Sequence, residues 1–289
     1  LKKPEEKFRL FYICNSEGAF MEKNSIKVLL VSLANMYSGN WDYIYKHIAL
    51  NKKYNYEEAL KSFSNIKSNV ITIMDSDLYP KEFNQILHPP FVLFYYGNIS
   101  LLKNKNKLAV IGSRQNTSYG KKVTEDILND LHEKIDSLTI ISGMAKGIDG
   151  IAMRTAIKNN DNVIAILGSG IDNPYPKENI DIYEYCKTSN KGLILSEYPL
   201  DTKPLKENFP IRNRLIAGLC DCVFVPEAKI KSGTSITIKY ALDNGKEIFV
   251  APNQLFSNSL NNLLLRDGAN ICISADDLLD SLTHSTNIS

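Results

Sequence analysis

The stretch Leu108-Ala109-Val110-Ile111-Gly112-Ser113-Arg114 decides how the rest of the chain is read: a short apolar run ending in glycine, a small hydroxyl and a cation. The pattern recurs. Runs of the same kind lie at 139–142, 163–167, 193–196, 222–225, 248–251 and 270–273. The intervals between them are amphipathic. Residues 119–132 carry Val123, Ile127, Leu128 and Leu131 at helical spacing, and 235–244 runs into Gly245, a fitting helix stop. Short β-rich runs alternating with helices predict an α/β fold, a Rossmann-like open, mostly parallel sheet with helices on both faces, over residues 108–282.

Upstream the pattern changes. Residues 1–67 place Ile26, Leu29, Leu30 and Leu33 at helical intervals among aromatics and lysines, which predicts a small helical N-terminal module preceding the sheet. Its lysines read first as a solvated helix face and only second as nucleic-acid contacts. Residues 68–107 read as a connector with one or two strands leading into the sheet: an extended stretch at 70–74, then Pro80, Pro89 and Pro90, and a second apolar run at 91–96 closed by Gly97-Asn98.

Bulk properties bound the function. With 289 residues, 44% of them hydrophobic, the chain can bury one large core and a smaller companion. A formal charge of +2 excludes the extreme basicity of tail-driven nucleic-acid binders, so any such site is a local patch. Five cysteines, Cys14, Cys186, Cys220, Cys222 and Cys272, show neither CxxC spacing nor a nearby histidine. This argues against a zinc site or a disulfide framework and for the reducing cytoplasm. Cys220 and Cys222 are expected on one face of a strand, buried. The charged start, Leu1-Lys2-Lys3-Pro4-Glu5-Glu6-Lys7, does not resemble a signal peptide, and the apolar run at 28–34 is far short of the about 20 residues that cross a bilayer. A soluble protein with no membrane partner is expected.

In open α/β sheets ligands bind beyond the carboxyl ends of the strands, so the residues after each run carry the functional reading. They are Gly112-Ser113-Arg114, Ser142-Gly143-Met144-Ala145-Lys146-Gly147, Gly168-Ser169-Gly170-Ile171-Asp172 and Glu227-Ala228-Lys229-Ile230-Lys231-Ser232-Gly233-Thr234. Glycine lets backbone approach a ligand, and N–H groups at a loop-to-helix junction favour an anion, phosphate above all. Each loop alone needs glycine simply to turn; four on one edge point to phosphate. The third glycine of GxGxxG is missing after Gly170, and no GK[ST] follows any loop, which disfavours dinucleotide and Walker A sites.

Cations complete the edge: Arg114, Lys146, and Arg212 and Arg214 within Phe209-Pro210-Ile211-Arg212-Asn213-Arg214. Guanidinium groups bind phosphate through paired hydrogen bonds, and Phe209 is placed to stack on an unpaired base. The bland alternatives are internal braces, with either arginine pairing Glu197 or Asp149, and Phe209 as core. Asp149 and Asp172 read as helix caps before they read as ribose or base contacts. His47, His88, His132 and His284 are scattered, and no Ser/His/Asp order or metal cluster emerges. No catalytic residue, metal or cofactor is expected.

Taken in order and spacing, Ala109 to Arg114, Ser118-Tyr119-Gly120, Ile141 to Asp149, Ala165 to Asp172 with Tyr175-Pro176, Ser196-Glu197-Tyr198-Pro199, Phe209 to Gly218, Glu227-Ala228 with Ser232-Gly233-Thr234, and Leu264 to Ala269 resemble the DprA/Smf family of DNA-processing proteins. The resemblance covers roughly residues 70–280. It implies a Rossmann-like domain that binds single-stranded DNA in a basic pocket, homodimers, and the loading of a RecA-type recombinase in natural transformation or recombination, with no enzymatic step. By motif, the DNA contacts it implies are Gly112, Ser113, Arg114, Ser142, Gly143, Lys146, Gly168, Gly170, Phe209, Arg212, Asn213, Arg214, Ser232 and Gly233. Met153 stands where the family commonly has histidine, and Pro252-Asn253 where Pro-Gly is usual. The winged-helix C-terminal domain of many members is expected to be absent.

A rival reading is a LOG-like nucleotide hydrolase, which shares Ser232-Gly233-Thr234. Its motif needs a glutamate where Thr237 stands, and loss of that carboxylate removes the acid/base group. A nucleotide-sensing module using the same pocket is a further alternative. For dimerisation, Leu260, Leu263, Leu264 and Ile271 are candidates for an apolar face, with core packing as the alternative.

Overall fold

The computed structural model describes residues 23–50, 52–230, 232–255 and 259–283; Cys14, Lys231 and His284 of the sequence reading lie outside them. Seven strands are parallel neighbours: β3 (Lys107–Val110), β4 (Thr139–Ser142), β5 (Asn162–Ile166), β6 (Gly192–Ser196), β7 (Cys222–Val225), β8 (Glu247–Val250) and β9 (Asn270–Ile271). Two more, β1 (Asn69–Thr72) and β2 (Val92–Gly97), add antiparallel beyond β6, giving a nine-stranded sheet of order β1-β2-β6-β5-β4-β3-β7-β8-β9. The Rossmann-like expectation is met. The stretch read as a connector with one or two strands supplies two strands of the same sheet.

Period-two alternation sends neighbouring residues into separate cores. Leu108, Val110, Ile140 and Phe224 face one side, where α4 (Ser118–Lys134), α5 (Ile148–Lys158), α6 (Ile180–Thr188) and α10 (Asp276–Thr283) pack. Ala109, Ile111, Ile141, Val223 and Val225 face the other, under α7 (Asn208–Leu219), α8 (Thr234–Asp243) and α9 (Leu260–Arg266). Strands covered on both faces read as continuous apolar runs, which is why they were legible.

Cys220 and Cys222 are both buried, but on opposite sides of the sheet, a correction to the expected shared face. Cys220 ends α7 and the strand starts only at Cys222, so strand alternation does not reach back to it. Among the described residues no helix is long and apolar enough to cross a membrane.

The N-terminal helices α1 (Lys23–Met36), α2 (Trp41–Ala49) and α3 (Tyr56–Ser64) join the first core through Ile26, Leu29, Leu30, Leu33 and Ile44. Trp41 fastens them to the sheet. Its ring lies parallel to His88 at 4.2 Å and to Phe91 at 5.2 Å, and its Nε1–H donates to the Pro89 carbonyl at 2.7 Å.

Candidate functional site

Because β3 to β7 are parallel, the segments that leave them emerge at one edge, and the glycine loops meet there. The segment after β3 is tied to the one after β7 by the Ser113 N–H, which donates to the Glu227 carbonyl at 2.8 Å. It is tied to the one after β4 by the Ser113 carbonyl, which accepts from Ile148 N–H at 3.1 Å. Asp149 organises the second loop from beneath. Its carboxylate accepts from Gly143 N–H at 3.2 Å and Ala145 N–H at 3.4 Å, so it shapes the turn instead of facing a ligand. Burial raises its pKa, partly offset by the Arg212 charge and these N–H groups. Asn179 adds two bonds from Nδ2, to the Met144 and Ala145 carbonyls at 3.0 and 2.9 Å.

Arg212 and Arg214, on α7, are both braces. Arg214 is 2% exposed and grips Glu197, and its Nε–H donates to the His88 carbonyl at 3.0 Å. Arg212 is 3% exposed and donates to the carbonyls of Gly143 and Ile166. A Cβ on Gly143 would stand 2.5 Å from the Arg212 guanidinium, so only glycine lets the arginine in. Burial pulls the Arg212 guanidinium down to about 10, against the raising influence of Asp149. It therefore remains a charged tie at neutral pH. Both residues named as direct contacts are thus buried, with donors turned to carbonyls and a carboxylate inside the protein, as a buried guanidinium requires. Ser142 is fully buried, with its hydroxyl donating to the Val110 carbonyl at 2.7 Å.

What reaches the surface is a smaller set. Arg114 is exposed, with its guanidinium 5.7 Å from the centre of the Phe209 ring. Phe209 is half-buried and lies on Gly168, where a Cβ would come within 2.8 Å of the ring. Tyr175, not among the expected contacts, flanks Phe209 at 5.7 Å between centres and is 44% exposed. Its place in Tyr175-Pro176 within a glycine-loop motif was the signal that could have found it.

Lys146 is exposed and ion-paired to Glu178, which raises the lysine pKa and lowers that of the carboxyl. Asn213 is half-buried and accepts from Arg212 Nε at 3.2 Å. Gly112 is half-buried and Ser113 buried, with its hydroxyl accepting from Gln115 N–H at 3.2 Å. Gly170 is buried and donates to the Thr202 carbonyl at 2.8 Å. Ser232 is half-buried with an unpartnered Oγ, and Gly233 is exposed, both at the start of α8. Asp172 accepts from the Tyr96 hydroxyl at 2.8 Å and caps no helix.

The arrangement is an aromatic slab, Phe209 with Tyr175, bordered by Arg114 and, through the second loop, by Lys146. Such a surface can hold the flat face of a base against an aromatic ring while cations meet the backbone phosphates. Thr237, at the position of the rival hydrolase's glutamate, is buried in α8. Leu260 and Leu264 pack into the second core, whereas Ile271 is 52% exposed.

Comparison with known proteins agrees with this reading of the fold. The family model for DNA recombination-mediator protein A matches residues 69–283, well over half of the chain. DNA processing protein DprA of Streptococcus pneumoniae is 40% identical over 210 residues, covering 72% of each protein. The Bacillus subtilis protein of the same name is 37% identical over 216 residues, 74% of this chain and 71% of that one. The X-ray structure of the S. pneumoniae protein superimposes with a TM-score of 0.72 at 33% identity, over 91% of this chain and 98% of that one. DNA processing protein A from Helicobacter pylori, solved to describe its single-stranded DNA binding mode, gives 0.66 at 31% identity over 77% and 98%.

Proposed function

The chain belongs to the DNA recombination-mediator protein A (DprA/Smf) family, and from that premise we propose that it binds single-stranded DNA on the glycine-loop edge of its sheet, between Phe209 and the cations Arg114 and Lys146. The observation that carries the proposal is the half-buried Phe209 ring beside an exposed guanidinium. Stacking tolerates any base, and a phosphate contact carries no sequence information, so the site binds strands without regard to sequence. Duplex DNA keeps its bases paired and stacked and offers nothing to the aromatic slab.

The contacts proposed are Arg114, Lys146 and Phe209, with Tyr175 added to them. Asn213 and Gly233 and the backbone of Gly112, Ser113, Gly168, Gly170 and Ser232 line the same edge. Gly143, Ser142, Arg212 and Arg214 hold its shape. Acting as an accessory factor and not as a catalyst, the protein would keep cytoplasmic single strands bound as a homodimer and hand them to a RecA-type recombinase.

Fluorescence anisotropy with labelled oligo-dT and the matching duplex, across a salt series, tests this. Tight, salt-sensitive binding that favours the single strand and fails in Arg114→Ala and Lys146→Ala is expected. Absence of binding at low salt, or an affinity for duplex equal to that for single strands, would overturn the reading.

A further inference from the structure

We propose that Glu227 sets which phosphates this fold admits: its carboxylate fills the pyrophosphate seat of the sheet's switch point and so turns free nucleotides away. The inference rests on the fold and not on the DNA reading. From β3 the chain moves outward to β4, β5 and β6, then returns to lay β7 on β3's other side. In open parallel sheets the crevice at such a reversal is where nucleotides bind, with their phosphates on the N-terminus of the helix that follows the first strand. Here that helix is α4, and its N-terminus is already taken.

The Thr117 N–H and the Thr117 hydroxyl both donate to Glu227 Oε2 at 2.9 Å. Thr117 itself caps the helix, its Oγ1 accepting from Gly120 N–H at 3.2 Å. The Thr117 hydroxyl satisfies one first-turn N–H, and the Thr117 N–H takes its acceptor from Glu227, brought from 110 residues away, where a glutamate in the helix's own first turn would ordinarily serve. What Glu227 adds is a negative charge, held 4% exposed against the positive end of the helix.

The fit is close. A Cβ on Gly120 would stand 1.9 Å from Oε2, so glycine in the first turn lets the carboxylate press on the helix as a bound anion would. The rest of the residue is committed too, its carbonyl accepting from Ser113 N–H. Any free phosphate entering the crevice meets a like charge and finds the Thr117 donors engaged. A strand lying along the outer edge at Arg114 and Phe209 need not enter it at all.

The test compares the parent chain with Glu227→Ala and Glu227→Gln, by thermal melting and calorimetric titration with sodium pyrophosphate at ionic strength matched with chloride. The parent is expected to gain no melting temperature beyond the chloride control. Glu227→Ala should melt several degrees lower and recover with pyrophosphate in a saturable manner, because a ligand that binds only the folded state stabilises it. Glu227→Gln, which keeps the shape and removes the charge, should show a smaller rise of the same kind and carries the test if the alanine variant fails to fold. Pyrophosphate resting on Arg114 would raise parent and variants alike, so the difference between them isolates the seat. Folded variants as indifferent to pyrophosphate as the parent, or a parent that binds it as tightly as they do, would overturn the proposal.

Discussion

Arg214 and Glu197 face each other through two parallel hydrogen bonds of 2.6 Å, Nη1 to Oε1 and Nη2 to Oε2, with the side chains 2% and 5% exposed. This bidentate tie pins α7, which carries Phe209, to the loop after β6. Breaking a buried pair by removing one partner leaves an uncompensated charge, which costs about 3–5 kcal/mol. Glu197→Ala is therefore expected to lower stability by that amount in urea unfolding. In whatever fraction of Glu197→Ala or Arg214→Ala remains folded, the salt slope of DNA binding should match the parent. A flattened slope in Arg214→Ala would return that residue to the phosphate contacts.

Arg114 is the contrasting case. Exposed and outside the core, it should leave the melting temperature unchanged when replaced by alanine, while weakening oligo-dT binding for all sequences alike. The slope of log affinity against log salt should fall by about 0.7, the value for one phosphate contact on a single strand. Anisotropy titrations at several salt concentrations read both.

Phe209 separates stacking from charge. Phe209→Ala should cost about 1–3 kcal/mol of binding, the usual worth of one base on an aromatic ring, with the salt slope preserved. A loss confined to the slope would assign the ring to positioning Arg114 instead. Phe209→Trp should retain most of the affinity.

Glu178 competes with phosphate for Lys146. Glu178→Gln frees the lysine, so affinity should rise and the slope steepen by up to about 0.7. The carboxyl pKa is lowered by the lysine, so the parent approaches the variant only when the pH falls below the ordinary carboxylate range, and the two differ throughout neutral pH. Paired titrations at pH 7 and at the acid limit of stability check this.

Asp277 gives a stability signature in acid. Its Oδ2 accepts from Ile273 N–H at 2.8 Å and Ser274 N–H at 2.9 Å, which holds its pKa low. A depressed carboxylate contributes stability above its unfolded pKa and loses it as pH falls through the folded value. Asp277→Ala should cost about 1 kcal/mol at pH 7, as a lost cap does, and the difference from the parent should shrink toward pH 3.

The parallel strands β3 to β7 were legible because they are apolar runs buried along their whole length, and a glycine loop follows β3, β4 and β5, as at 108–112. β1 and β2 were less so. They bracket Pro80, Pro89 and Pro90, and β2 ends in half-buried Tyr95, Tyr96 and Gly97, so the stretch reads as a connector until its pairing with β6 is seen. The loops of the site were found for the same reason as the strands. The arginines were ambiguous for a chemical reason: a guanidinium matches a carboxylate as well as a phosphate, and which one Arg214 meets depends on where the loop after β6 brings Glu197. Glu227 stood out in the sequence only as the head of a loop motif, since nothing local shows that its carboxylate acts across the sheet on Thr117.

The stack of Trp41 on His88 has a practical side. It is the chain's only tryptophan, placed where the N-terminal helices meet the residue whose carbonyl holds Arg214. Its emission is thus a built-in, label-free gauge of whether that docking persists. A red shift in dilute denaturant before the sheet melts would mark the helices as a separately detaching part, and a shift coincident with global unfolding would mark helices and sheet as one cooperative unit.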